Sequence, residues 1–406
     1  MKILLVNTFY YPNIVGGTEN SIKLLAEGLK SRGYQVAIYC VDNLENGIKK
    51  EYINDILVYR GNAGLFDSKV RLGKKSNLIK KIINKLIELR NYSSLNEFKY
   101  IISDFKPDIV HTNNLYGISP LFWKECQKKD IKIAHTLRDY WILSYTGNLE
   151  VEKDKSLLKK SILNIYRSYF RYQSRYVTAV TAPSEFTLER FLNEKYFFNS
   201  RIKQSINNSI HLDINETKVL IDEKKNRKDK VIKFIFVGGL YEIKGIKNLI
   251  NAFTNIKNDN ILLYICGDGD LKEFVKNSSN KDKRIIYKGK LNADELKRAY
   301  IESDVLIVPS VWDEPFGRVV IEGNQFGLPV IASNKGGIPE IVKNIRGGEL
   351  FNSDSVEDLK NKINRFTDRE HIKSFYADIE NNINKYSIDY QIDSFLTLYN
   401  YILKIN

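Results

Sequence analysis

Two short apolar runs, one in each half, constrain this chain more than any other feature. Each leads into a pair of glycines and then a helical pattern. Residues 2–7 read as a buried strand, followed by a loop holding Pro12 and Gly16-Gly17, then apolar positions at helical spacing over 18–31. Residues 232–237 repeat the arrangement, with Gly238-Gly239 and a helix from about Gly245. Further strands are expected at 35–41, 109–111 and 131–135, and at 261–266, 285–287, 305–309 and 329–332, with helical patterns between them. Strands separated by helices pair through crossovers rather than tight turns. The expected fold class is therefore α/β, with parallel sheets covered by helices.

At 406 residues the chain is long enough for two cores. The boundary is expected near 205–230, where 205–213 is polar and extended and 222–230 reads as a densely charged linker. The expected division is 1–210, 211–385, and a last helical segment, 386–406. That segment carries Phe395, Leu396 and Tyr399 at helical spacing and is expected to cross back onto the first domain.

Several function classes recede on inspection. No run of eighteen apolar residues is present, and the N-terminus reads as a strand rather than a signal peptide. The three cysteines, Cys40, Cys126 and Cys266, read as buried free thiols of a cytoplasmic protein. The four histidines show no metal-ligand spacing. The net charge of +14 is uneven: residues 1–210 hold 33 Lys and Arg against 20 Asp and Glu, so +13 of it lies there. This suits a first half facing an anionic partner, either acidic lipid or a diphosphate, or a surface that is basic only for solubility. No helix-turn-helix, zinc-finger or RNP-like motif supports nucleic acid as that partner. Residues 69–90 combine Lys69, Arg71, Lys74, Lys75, Lys80, Lys81, Lys85 and Arg90 with leucines and isoleucines at helical spacing. Such a stretch suits an anionic membrane surface at the cytoplasmic face, or is an ordinary helix with a solvated basic side.

The strongest chemical signal runs from Glu314 to Glu322. Pro315 and Gly317 shape a turn from a strand into a helix, placing one carboxylate at the helix entrance and the second about two turns in. A helix N-terminus offers backbone N–H groups and a positive dipole end to a phosphate or to sugar hydroxyls. A carboxylate accepts paired sugar or ribose hydroxyls.

With these residues in view, the chain resembles glycosyltransferase family 4, the retaining GT-B group. The E-x7-E pattern is Glu314 to Glu322. The flanking stretches 236–240, Lys244-Gly245, 267–269 and 336–340 agree with it, as does Gly16-Gly17-Thr18-Glu19. The resemblance implies two Rossmann-like domains facing each other across a cleft, the acceptor mainly on the first and a nucleotide-sugar donor, commonly UDP-linked, on the second. It implies that Glu314 contacts hydroxyls of the transferring sugar, that Phe316 and Gly317 offer backbone N–H groups, and that Glu322 holds the ribose. It implies that Lys244 neutralises the diphosphate and that Gly16 and Gly17 let backbone approach the phosphates. The implied reaction is front-face attack, the departing phosphate oxygen taking the acceptor proton, with no metal or cofactor. A glycan or lipid-linked acceptor is expected.

Two positions depart from the family. An arginine is common where Gly239 stands, and Arg138 replaces a histidine common before Asp139. Arg138 then contacts a phosphate, or the histidine is dispensable. His111 matches a family position expected to line the cleft, or is a satisfied structural histidine. Asp268 and Asp270 imitate a D-x-D metal pair but sit in a G-D-G turn and are not expected to bind metal. Rival readings are an epimerase or phosphorylase on the same fold, and a non-catalytic binding protein.

Overall fold

The computed structural model describes residues 1–14, 16–42, 47–62, 89–144 and 157–405. The chain divides into two compact units, Met1–Ser209 with Ile388–Asn406, and Ile210–Ser387. The second unit thus ends two residues beyond the expected 385.

Among its described residues the first unit is built on eight strands: β1 (Lys2–Val6), β2 (Gln35–Val41), β3 (Lys49–Ile53), β4 (Ile56–Gly61), β5 (Ile109–Thr112), β6 (Lys132–Thr136), β7 (Ala179–Ala182) and β8 (Ile202–Ser205). Their order is β3-β4-β2-β1-β5-β6-β7-β8. All neighbours are parallel except β3 and β4. That hairpin closes through Asn54 and Asp55, both left-handed at φ 49° and 60°. Asn and Asp tolerate this region well, and a two-residue turn needs it. Ile3, Leu4, Leu5 and Val6 are fully buried, as a strand covered on both faces must be.

The helix Gly17–Ser31 buries Ile22, Leu25, Ala26 and Leu29 against this sheet's core. The last helix, Ile388–Leu403, packs on it within the same unit. A Cβ on Gly28 would lie 2.1 Å from Ile392 Cδ1, so glycine sets the close approach. Arg32 ties the pair, donating to Asp389 at 3.0 Å and Asp393 at 3.2 Å.

The second unit holds β9 (Ile232–Val237), β10 (Ile261–Cys266), β11 (Ile285–Gly289), β12 (Val305–Val308), β13 (Val330–Ser333) and β14 (Gly348–Phe351). They form one parallel sheet in the order β11-β10-β9-β12-β13-β14. In both sheets the winding reverses beside the first strand, between β1 and β5 and between β9 and β12. Open α/β sheets bind ligands beyond the carboxyl ends of the strands at such reversals.

One expectation fails here. Residues 222–230 are not a linker throughout, because 222–225 finish the helix Ile214–Lys225, which Asp213 caps by accepting from Asn215 and Glu216. Lys224 is 2% exposed and donates to the carbonyls of Ile301, at 2.9 Å, and Ser303. Buried Asp304 draws in Arg227 and Arg369. Charge density in sequence therefore marks a helix-to-strand clamp. The 69–90 stretch lies outside the described residues except for its last two positions. Among the described residues, no helix is long and apolar enough to cross a membrane.

Candidate active site

In the second unit, the chain leaves β9 through Gly238-Gly239 into a single turn, Glu242–Lys244. Gly245 follows at φ +71°, and a Cβ there would lie 1.8 Å from the Pro309 carbonyl oxygen. Only glycine lets this turn close on the chain leaving β12. The Val311 N–H donates to the Ile243 carbonyl at 3.0 Å and joins the two loops. As a result, the Lys244 ammonium donates to Glu314 Oε1 at 2.5 Å. The Ser310 hydroxyl donates to the same oxygen at 2.6 Å. The ammonium also stands 5.4 Å from the centre of the Trp312 ring, within cation–π range.

The Glu314 backbone is gripped from β13's exit. The Gly337 N–H donates to the Glu314 carbonyl at 2.8 Å. A Cβ on Gly336, at φ +58°, would lie 2.2 Å from that oxygen. Gly317, at φ +98°, then opens the helix Arg318–Gln325. Phe316 turns its ring inward, 3% exposed and 6.1 Å from the Tyr386 ring. The stretches 236–240, 244–245, 309–317 and 336–338 thus form one assembly at the sheet's reversal.

Glu322 sits about one turn into this helix rather than two, because Pro315 to Gly317 are spent on the entry turn. Its carboxylate accepts from Arg318 Nε at 2.9 Å. Burial pushes the Glu322 carboxyl above the usual range, against the pull of Arg318. Gly239 contributes backbone alone; a Cβ there would lie 2.7 Å from the Tyr241 ring. Ser310 and Trp312 are not among the expected site residues. Their place between a strand end and the first acid of the motif was the signal.

The first unit has its own polar cluster beyond β1 and β5. The Asn114 N–H donates to Asn7 Oδ1 at 3.0 Å, and Asn114 Nδ2 donates to Asp139 Oδ2 at 2.7 Å. Arg138, 9% exposed, donates through Nε to Asn113 Oδ1 at 3.0 Å and through Nη1 to Asn208 Oδ1. The arginine is thereby held in one orientation at the end of β6. Gly16 and Gly17 lie exposed at the start of the helix Gly17–Ser31. The space a Gly16 Cβ would take is open, but its N–H already donates to Glu19 Oε2 at 2.8 Å.

His111 departs from its expected catalytic place. It is fully buried, and its two ring nitrogens share hydrogen bonds with the Tyr399 hydroxyl at 2.6 Å and the Thr136 hydroxyl at 2.7 Å. Burial, with Arg138 and His135 nearby, holds it neutral, well below the usual histidine range. It is a structural histidine that ties the last helix to the sheet. His135 is likewise buried, pushed down to about 3, and shares a hydrogen bond with Thr112.

Asp268 accepts from the Gly269 N–H at 2.9 Å and faces Lys272 at 3.4 Å. Gly267 and Gly269 let this turn lie against Gly238 and Leu240. Among the described residues, no group of three His, Cys, Asp or Glu side chains could hold a metal.

The chain is similar to known proteins over both of its units. Residues 15–204 match the family described as glycosyltransferase family 4, and residues 218–386 match glycosyl transferases group 1. An uncharacterised 42.6 kDa protein in the cps region of Klebsiella pneumoniae is 31% identical over 334 residues, covering 79% of this chain and 82% of that one. Sucrose-phosphate synthase from Thermosynechococcus elongatus has a similar fold, with a TM-score of 0.76 at 19% identity, covering 99% of this chain and 98% of that one. The Anabaena HepE structure in complex with UDP gives 0.67 at 17% identity, covering 99% and 100%.

Proposed function

This chain belongs to glycosyltransferase family 4 and is a glycosyltransferase of GT-B fold, and from that premise we propose that it transfers a hexose, with retention at the anomeric carbon, from a nucleoside-diphosphate donor to a glycan or lipid-linked acceptor of a cell-surface polysaccharide. One observation carries the reading: Lys244, Ser310 and Glu314 converge at the reversal between β9 and β12. A cation suited to phosphate thus stands beside a carboxylate suited to sugar hydroxyls. UDP is the preferred nucleotide, because HepE binds UDP on the same fold. The cps-region relative supports a polysaccharide product.

The chemistry follows from charge. Breaking the bond between the anomeric carbon and the phosphate oxygen sends the electron pair to the diphosphate. Lys244 and backbone amides near Phe316 and Gly317 stabilise that charge as it develops. Glu314 accepts hydroxyls of the transferring sugar and Glu322 those of the ribose. The acceptor hydroxyl attacks on the face the phosphate leaves, and its proton passes to the departing phosphate oxygen. Burial of His111 supports this route, since it removes the obvious base on the first unit. Gly16 and Gly17 let backbone approach the phosphates, and Arg138 is a fixed cation for a phosphate. The reading requires no metal or cofactor. The surplus charge of residues 1–210 suits an enzyme working at the cytoplasmic membrane face.

A thermal-shift screen of UDP-, GDP- and ADP-hexoses tests the proposal. A ligand at a hundred times its Kd stabilises the folded state by about 2.7 kcal/mol, which raises Tm. No shift with any of them would overturn it.

A further inference from the structure

The Lys244–Glu314 contact does more than bring two site residues together. In this structure each is the other's charge partner. The pair is short, at 2.5 Å, and partly shielded, with 29% of the lysine side chain and 13% of the glutamate side chain exposed. The donor needs both groups in a different state, the lysine turned to phosphate and the carboxylate open to sugar hydroxyls.

We propose that Lys244 alternates between two partners, Glu314 before a donor binds and the diphosphate of a bound donor, and that its return to Glu314 expels the product nucleotide. This rests on the glycosyltransferase reading above and deepens it. The backbone is fixed on both sides of the pair. Gly245 seats against Pro309, Val311 bonds to Ile243, and Gly336 and Gly337 hold the Glu314 carbonyl. Exchange therefore needs only the lysine side chain to swing. The Trp312 ring stands 5.4 Å from the ammonium.

The consequence is a difference between substrate and product. An intact nucleotide-sugar takes Lys244 from Glu314 but gives the carboxylate hydroxyl donors in return. A nucleoside diphosphate without its sugar takes the lysine and returns nothing. Glu314 then keeps only the Ser310 hydroxyl as a side-chain partner among the described residues. A mostly buried carboxylate with one donor is costly. Re-pairing with Lys244 therefore competes with the product for the ammonium. The pair selects substrate over product, beyond the separate roles of phosphate and sugar contacts.

A double-mutant cycle read by calorimetry tests this, using UDP and the hexose nucleotide that binds wild type. Glu314→Gln keeps the shape, removes the charge and frees Lys244. It is expected to tighten UDP by at least about threefold, the scale of a partly exposed ion pair, while narrowing the preference for nucleotide-sugar over UDP. Removing a carboxylate also relieves plain repulsion of the diphosphate, so the same change is made on Lys244→Met. There the tightening is expected to shrink by at least half. Glu314→Ala gives the same sign and serves where the amide variant does not accumulate as folded protein. Equal tightening with and without Lys244 would reduce Glu314 to a repulsive charge and overturn the exchange. UDP affinity unchanged or weakened in Glu314→Gln would overturn it as well. If no nucleotide or nucleotide-sugar binds wild type, the glycosyltransferase site itself is misplaced and the exchange falls with it.

Discussion

His111 and Tyr399, 288 residues apart in sequence, share a 2.6 Å hydrogen bond inside the first unit. Through it the last helix is fastened to the ends of β5 and β6, because the other ring nitrogen of His111 meets Thr136. Tyr399→Phe removes one partner and leaves a buried imidazole nitrogen unsatisfied, which costs about 1–3 kcal/mol. Urea unfolding is expected to show that loss, with donor affinity unchanged. A loss under about 0.5 kcal/mol would mean that the bond contributes little net stability.

Buried neutral histidines make stability depend on pH with a definite sign. His111 and His135 are both held below the free histidine value of about 6.5, His135 at about 3. Above 6.5 neither form of the chain is protonated there, and their contribution is complete. Below it the unfolded chain takes up two protons that the folded chain refuses, so stability falls as pH falls. The slope approaches about 1.4 kcal/mol per pH unit for each histidine. Urea midpoints between pH 7.5 and 5 report it, and His111→Gln is expected to lower the slope by about one proton. A flat profile in that window would show that the histidines are protonated in the fold.

Glu322 and Lys244 separate in kinetics. Glu322→Ala is expected to weaken donor binding by about 1.5–3 kcal/mol through lost bonds to the ribose, with a modest effect on turnover. Lys244→Ala removes charge that matters most as the diphosphate departs, so kcat is expected to fall by about a hundredfold. Initial rates across donor concentration decide the point. A higher KM with unchanged kcat would remove Lys244 from the transition state.

The basic surplus of the first half carries a separate expectation. Each Lys or Arg at an anionic bilayer contributes about 1 kcal/mol, and salt screens it. Sedimentation with anionic liposomes is expected to be strong at low salt. It should weaken when Lys74, Lys75, Lys80 and Lys81 are changed to Glu. Equal sedimentation with neutral liposomes would dismiss the membrane and leave the transferase assignment intact.

Much of this was legible in the sequence, for local reasons. Strand, glycine pair and helix recur because a parallel crossover must be written that way, and Gly245, Gly317 and Gly336 mark turns that only glycine makes. The hairpin of β3 and β4 was missed because its signal is the Asn54-Asp55 pair and its strand β3 is mostly charged. Residues 222–225 misled because Lys224 buries its stem and charge against two carbonyls. The partners of His111, and the meeting of Lys244 with Glu314 across 70 residues, depend on which strands and helices become neighbours. No residue pattern announces that.

The central claim is that the Lys244–Glu314 site splits a nucleotide-sugar with retention and without metal. Proton NMR of a UDP-α-hexose incubated with the enzyme in EDTA, without acceptor, tests it most directly, because slow transfer to water shows both turnover and anomer. The account predicts UDP and free hexose whose α anomer appears first, both formed about a hundredfold more slowly in Lys244→Ala. Release of the β anomer first, a new nucleotide-sugar epimer, or turnover that returns only with Mg²⁺ or Mn²⁺ would contradict it.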